Sequence, residues 1–284
     1  MGGAGRPFAH VTLGTNLPGS DRLFFSAIVS DIDSFSFRAT DKGASMVDPT
    51  NAKLIIDGQA VTLTASPKTG DATDFTYKRP TPFPPASDHT YSIEVKDTLG
   101  NPVTSTGEFV TTTYALLTAA DKVTADTSKP GFSWNVHQND ALTATDNVRP
   151  LDQLAGLLGE NFADPAAQGI AIGPGTAGAN NRLPIRFEIA TVINLDEAGG
   201  SNGNIQPDDQ MPGIPGTTAG ADGIAAEILT YLELPAGKHT LIVNSDDGFR
   251  TTAGRVADVF QSQVAGEFAG TRTAGDTAYT VLVQ

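Results

Sequence analysis

Glu227-Ile228-Leu229-Thr230-Tyr231-Leu232-Glu233-Leu234-Pro235-Ala236-Gly237-Lys238-His239-Thr240-Leu241-Ile242-Val243-Asn244-Ser245-Asp246-Asp247-Gly248-Phe249-Arg250 is the stretch that decides the fold. Two apolar runs, 226–232 and 238–244, flank the breaker Pro235-Ala236-Gly237, which predicts strand, tight turn, strand. The second run ends in two adjacent carboxylates and a glycine. Neighbouring carboxylates repel one another unless donors or a cation compensate. Gly248 lets the backbone turn sharply behind them, and Asn244 can bond the loop or a ligand. Calcium takes roughly 6–8 oxygen ligands, so Asp246 and Asp247 are candidate metal ligands. Asn244, Gly248 and Arg250 complete the candidate ligand-binding set. A purely architectural use is equally open, with aspartate accepting backbone N–H bonds to shape the turn.

The flanking sequence reads the same way. Phe132-Ser133-Trp134-Asn135-Val136 opens a region after Pro130-Gly131, and 186–193 alternates around Phe187 and Ile189. Leu151, Leu154, Leu157 and Leu158 predict one short helix that Gly159 ends. The interval 199–224 is a Gly/Pro/Asn/Asp loop. Segments 257–264 and 277–283 complete the strand predictions.

Upstream, Phe35 and Phe37 alternate, as do Phe75 with Tyr77 and Tyr91 with Ile93 and Val95. Asp57-Gly58 between apolar runs is a hairpin signal, because Gly tolerates positive φ. The proline-rich 79–85 cannot be a central strand. Seven short strands in this span match the spacing of a β-sandwich. Thirty glycines and 18 prolines in 284 residues favour such turn-rich architecture over long helices. The division expected is an arm at 1–20 with a short strand at Phe8–Leu13, a sandwich at 21–113, a linker at 114–131 and a second sandwich at 132–284.

Charge narrows the function. Eighteen basic against 32 acidic residues give a net of −14, which repels phosphate backbones and speaks against nucleic-acid binding. With no cysteine, disulfides and thiolate metal sites are excluded. No apolar run approaches the roughly 18 residues a membrane span needs, so no membrane insertion is expected. The first residues lack the apolar core of a signal peptide, so an exported protein would have lost its signal or be represented by an internal fragment.

Two resemblances rest on these residues. Val47-Asp48-Pro49, Leu54-Ile55-Ile56-Asp57-Gly58 and Tyr91-Ser92-Ile93-Glu94-Val95-Lys96-Asp97-Thr98-Leu99-Gly100-Asn101 resemble bacterial immunoglobulin-like domains over about 35–113. That implies spacing or adhesion, with a turn at Val47–Pro49 and a charged turn at Lys96–Asn101. Leu234-Pro235-Ala236-Gly237 and Ser245-Asp246-Asp247-Gly248-Phe249-Arg250 resemble the PA14 β-sandwich and its flocculin-type lectin relatives, over about 132–284. The lectin relatives imply a cis Asp246–Asp247 peptide with both carboxylates on a calcium ion that contacts sugar. They complete that site from a loop well downstream, and this chain has only about forty residues after the pair. The resemblance also implies a final strand pair that the chain lacks, so continuing chain or another subunit would close the sheet. An edge left open there invites strand addition and assembly, as a homo-oligomer or with neighbouring subunits.

Other chemistry is thin. Asp196-Glu197 and Asp208-Asp209 flank the loop 199–204, and Asp31 with Asp33 lacks EF-hand spacing. Gly199-Gly200-Ser201-Asn202-Gly203 matches G-x-S-x-G, but without the strand and helix a nucleophile elbow needs. His10, His89, His137 and His239 show no metal spacing. Trp134 and Phe132 suit either a sugar platform or core packing. The expectation is an all-β protein of two sandwiches, immunoglobulin-like then PA14-like, secreted or at the cell surface. It would be a non-catalytic carbohydrate-binding or adhesion module assisted by calcium. The alternative is a structural subunit of a surface layer or fibre.

Overall fold

The computed structural model describes residues 21–128, 131–142, 147–166, 181–197, 199–200, 205–255 and 260–284. The arm 1–20 with its strand Phe8–Leu13, His10, loop residues 201–204 and the start of 257–264 lie outside the described residues. The chain is nearly all β and divides into two compact units, Met1–Tyr114 and Ala115–Gln284. Among the described residues no helix is long and apolar enough to cross a membrane.

The first unit holds β1 (Phe24–Ser30), β2 (Ser34–Thr40), β3 (Val47–Ile56), β4 (Gln59–Val61), β5 (Thr64–Ala65), β6 (Ala72–Lys78), β7 (Asp88–Asp97) and β8 (Pro102–Val110). They form two four-stranded sheets, β1-β2-β6-β5 and β4-β3-β7-β8. Period-2 alternation sends Phe35, Phe37 and Phe75 inward from one sheet and Leu54, Tyr91, Ile93, Val95 and Phe109 from the other, all into one core. Full burial of each such side chain stabilises by about 1.5–3 kcal/mol. The Asp57-Gly58 hairpin forms as read: Ile56 pairs with Gln59, and both turn residues have positive φ, 49° and 75°. Val47–Pro49 lies inside β3, where the ladder shifts register between Val47 and Ala52. The Asp48 carboxylate accepts from the Thr50 amide at 2.9 Å and Asn51 Nδ2 at 2.6 Å, so the expected turn is a bulge within a strand.

Asp97 explains the charged turn. Its carboxylate accepts from the amides of Leu99 at 3.1 Å and Asn101 at 2.8 Å, and from Ser45 Oγ at 2.9 Å. Burial pushes its carboxyl up, but these donors together hold it below the ordinary value.

The second unit begins within β9 (Tyr114–Leu117), so the expected linker starts with a strand. Then come β10 (Phe132–Gln138), α1 (Arg149–Leu154), β11 (Ile185–Ile189), β12 (Leu195–Asp196), β13 (Asp209–Gln210), β14 (Ile224–Leu229), β15 (Gly237–Ser245), β16 (Phe249–Ala253), β17 (Gln263–Phe268) and β18 (Gly275–Val283). Its sheets are β11-β10-β14, β15-β18-β9, β16-β17 and the short parallel pair β12-β13.

Three expectations change. Strands β14 and β15 are not a hairpin: β14 pairs with β10, and β15 with β18. Residues 230–236 carry the chain from one sheet to the other, leaving Tyr231 and Leu232 exposed. Helix α1 is shorter than 151–158 and buries Gln153, whose amide donates to the carbonyls of His137 at 3.0 Å and Gly223 at 2.6 Å. The leucine pattern therefore did not mark the buried face. Last, β18 is no edge strand, since it lies between β15 and β9, and the Gln284 amide donates to the Leu117 carbonyl at 2.9 Å. Among the described residues the outer strands of that sheet are β15 and β9.

Trp134, Val136, Ile185, Phe187, Ile189 and Ile214 form the second core. Trp134 is 4% exposed and donates from Nε1 to the Pro212 carbonyl at 3.0 Å, so it packs in the core and offers no sugar platform. Asn161 stitches this region with four bonds. Its Nδ2 donates to the Val136 and Leu183 carbonyls at 3.0 Å each, and its Oδ1 accepts from the amides of Gln138 at 3.0 Å and Ala163 at 2.9 Å.

Candidate functional site

The strand-end turn Asn244–Gly248 leads out of β15 into β16, two strands of different sheets. Its organiser is Arg272, on the approach to β18. The guanidinium donates from Nε to the Ser245 carbonyl at 2.9 Å, from Nη2 to Ser245 Oγ at 2.6 Å and from Nη1 to Thr277 Oγ1 at 2.8 Å. It also lies 4.2 Å from the Phe268 ring centroid and 5.9 Å from that of Phe249. Charge-assisted bonds and the aromatic faces fix both ends of the planar fork.

Asp247 serves this turn. Its amide donates to the Arg272 carbonyl at 3.3 Å, and its Oδ1 accepts the Arg272 amide at 3.3 Å. Its own carbonyl accepts from Ser245 Oγ at 2.9 Å. Asp247 takes φ of 56°, a left-handed conformation that aspartate tolerates better than most residues. The cis peptides among the described residues are Gln206–Pro207 and Ile214–Pro215, so Asp246–Asp247 is trans. This corrects the cis geometry implied by the lectin resemblance. Asp246 is exposed at the tip.

Gly248 is required by packing. A Cβ there would overlap Asn147 Oδ1 and come within 2.9 Å of the Phe268 carbonyl oxygen. Asn147, 8% exposed, donates from Nδ2 to the Phe249 and Phe268 carbonyls at 3.1 Å each. The other two candidates are used across ladders. Asn244 Nδ2 donates to Asp276 Oδ1 at 2.7 Å, and Arg250 Nε to Glu267 Oε2 at 3.0 Å, each with its register partner. Among the described residues no three His, Asp or Glu side chains converge as metal ligands. Asp246 and Asp247 are thus brought to one turn without a third acidic ligand beside them.

The remaining candidates have local roles. Asp196 and Asp209 belong to the β12-β13 pair, and the Met211 amide donates to the Asp196 carbonyl at 2.9 Å. Asp31 Oδ1 accepts the Ile32 amide at 2.7 Å, and Asp33 pairs with Lys78. His239 Nε2 donates to the Pro235 carbonyl at 2.7 Å. Ser201 of the G-x-S-x-G match lies outside the described residues.

One constellation escaped the sequence reading. Ser87 Oγ lies 2.7 Å from His89 Nε2, and His89 Nδ1 lies 2.7 Å from Asp57 Oδ2. The other Asp57 oxygen accepts the Thr90 amide at 2.9 Å. Burial raises the Asp57 carboxyl, but the Thr90 amide, the His89 bond and the charges of His89 and Arg79 hold it below its ordinary value. The His89 ring is 7% exposed and packs against Phe83 and Phe109, with centroids 4.6 and 5.0 Å away. The signal was Ser87-Asp88-His89, since residues two apart on an extended chain share a face. Asp57, at the hairpin 32 positions away, had no such signal. No protein-family model matches this chain, and no curated protein matches it.

Proposed function

We propose that the chain is a building block of an extracellular assembly, joining neighbouring subunits through an open sheet edge of its second unit. The carrying observation is β15, a nine-residue strand at the edge of its sheet, paired on one side by β18. An edge of that length presents a row of backbone donors and acceptors to an incoming strand. Ile242 on β15 is 63% exposed, which adds apolar contact. The use of Asp247 and Gly248 in turn construction supports this reading over a metal-centred one. The test is sedimentation velocity of the full chain across concentrations, beside Thr240→Pro, which removes one edge donor. Self-association that Thr240→Pro abolishes supports the proposal. A monomer at all concentrations, binding no strand-forming peptide, overturns it.

A second reading is favoured by the exposure of Asp246, in the turn between Asn244 of β15 and Arg250 of β16, both also exposed. Here the PA14-like unit binds an extracellular glycan, with calcium held by Asp246 and Asp247 and completed by sugar hydroxyls. A calcium-dependent rise in melting temperature, lost in Asp246→Asn with Asp247→Asn, supports it. No shift at millimolar calcium and no glycan-array signal sink it.

A further inference from the structure

We propose that Ser87, His89 and Asp57 form a nucleophilic site in the first unit that hydrolyses acyl esters. Hydrolytic triads need a hydroxyl on one imidazole nitrogen and an acceptor that fixes the tautomer at the other. Here both contacts are 2.7 Å. An ionised carboxylate only accepts, so Asp57 Oδ2 takes a proton from Nδ1 and leaves the Nε2 lone pair facing Ser87 Oγ in the neutral ring. The Thr90 amide bond and the Phe83 and Phe109 rings hold acid and base in place.

The backbone contributes the other requirement. Ala86 has φ of 53° and donates its amide to the Thr111 carbonyl at 3.1 Å, while the Thr111 amide donates to the Ser87 carbonyl at 2.9 Å. These two bonds lie just past the end of the β7–β8 ladder, whose last pair is Asp88 with Val110. Among the described residues no protein group accepts the Ser87 amide, which leaves it beside its own Oγ as an oxyanion donor. Ser87 is half-buried, within reach of a small ester. Its hydroxyl donates to the Pro84 carbonyl at 2.6 Å, so its one proton must swing from Pro84 to His89 Nε2 before attack, which slows the step.

In the reaction, Ser87 Oγ bonds to the ester carbonyl carbon and its proton passes to His89 Nε2. The ester C–O bond breaks, and the leaving alkoxide takes that proton to depart as alcohol. Water then attacks the acyl-serine and gives a proton to Nε2. The acyl–Oγ bond breaks, Oγ recovers the proton, and the carboxylic acid leaves.

The test is reaction of the full chain with a small alkyl fluorophosphonate, read as the mass of the Ser87 peptide. Ser87 is expected to react at least ~100-fold faster than any other serine, the usual scale of general-base assistance. Asp57→Asn keeps the positive φ and the Thr90 bond but presents the wrong tautomer. It should slow labelling ~100-fold or more at a temperature well below the variant's own melting point. His89→Gln should act likewise. No adduct at Ser87, or an adduct whose rate ignores the Asp57→Asn change, overturns the proposal. The wild-type rate at Ser87 against that of the other serines decides even if a variant fails to fold.

Discussion

Arg272 grips Ser245 twice, taking its carbonyl oxygen on Nε at 2.9 Å and its hydroxyl on Nη2 at 2.6 Å. One guanidinium thereby fixes the exit of β15 and the approach to β18. Arg272→Ala should destabilise the second unit by about 2–3 kcal/mol in denaturant titration, through three lost bonds and the Phe268 contact. Arg272→Lys should recover little of it, because an ammonium lacks the planar fork.

Gly248→Ala should cost about 2–4 kcal/mol, since the new methyl meets Asn147 and the Phe268 carbonyl. Pairing it with Asn147→Ala in a double-mutant cycle should give a coupling above about 0.5 kcal/mol, because one clash underlies both effects. Purely additive losses would mean that Asn147 does not dictate the glycine.

Acid should weaken the first unit in a defined direction. The carboxyls of Asp48, Asp57, Asp74 and Asp97 all titrate below their ordinary value in the folded chain. The unfolded chain therefore takes up protons first as pH falls. Stability from these groups is present above about pH 4 and drains away as pH drops through the depressed values. Asp97→Asn should lower stability at neutral pH and flatten the acid limb, measured by thermal melts between roughly pH 5 and 2.

His137 gives the second unit its own pH dependence. Burial, aided by the Arg149 charge, pushes its pKa down against the nearby carbonyls of Gly159 and His137 itself. The unfolded ring binds its proton at a higher pH than the folded one. Its contribution is thus complete above the unfolded value, about 6.5, and is lost as pH falls below it. His137→Phe should flatten the stability slope below about pH 6.5 in the second unit alone, as followed by unit-resolved hydrogen exchange.

The first unit was the more legible in sequence. Phe35 with Phe37, and Tyr91 with Ile93 and Val95, declare their faces because strand side chains alternate. Asp57-Gly58 declares its turn because few residues accept positive φ. The second unit hid its pairing: alternation in 226–232 and 238–244 tells which face is apolar, not which strand lies alongside. The leucines of α1 misled because Gln153 is buried to serve two carbonyls, a demand that hydrophobic spacing does not report. At the candidate turn, Asp246-Asp247-Gly248 was visible, but its organiser Arg272 sits 27 positions from Ser245 and carries no local mark. Ser87 and His89 were adjacent on a face, yet a triad needs Asp57 from another strand's end.

The placement of β18 between β15 and β9 also sets an order of events during folding. The sheet's first strand precedes nearly all of the second unit, and its central strand comes last. Neither β9 nor β15 can find its ladder until residues 275–283 have been synthesised. Closing so long a loop makes the sheet a late, slow step, while β10 and β14 can already be paired. Until then β15 waits as an apolar strand without a neighbour, and a crowded ribosome would be the place where it meets the wrong one.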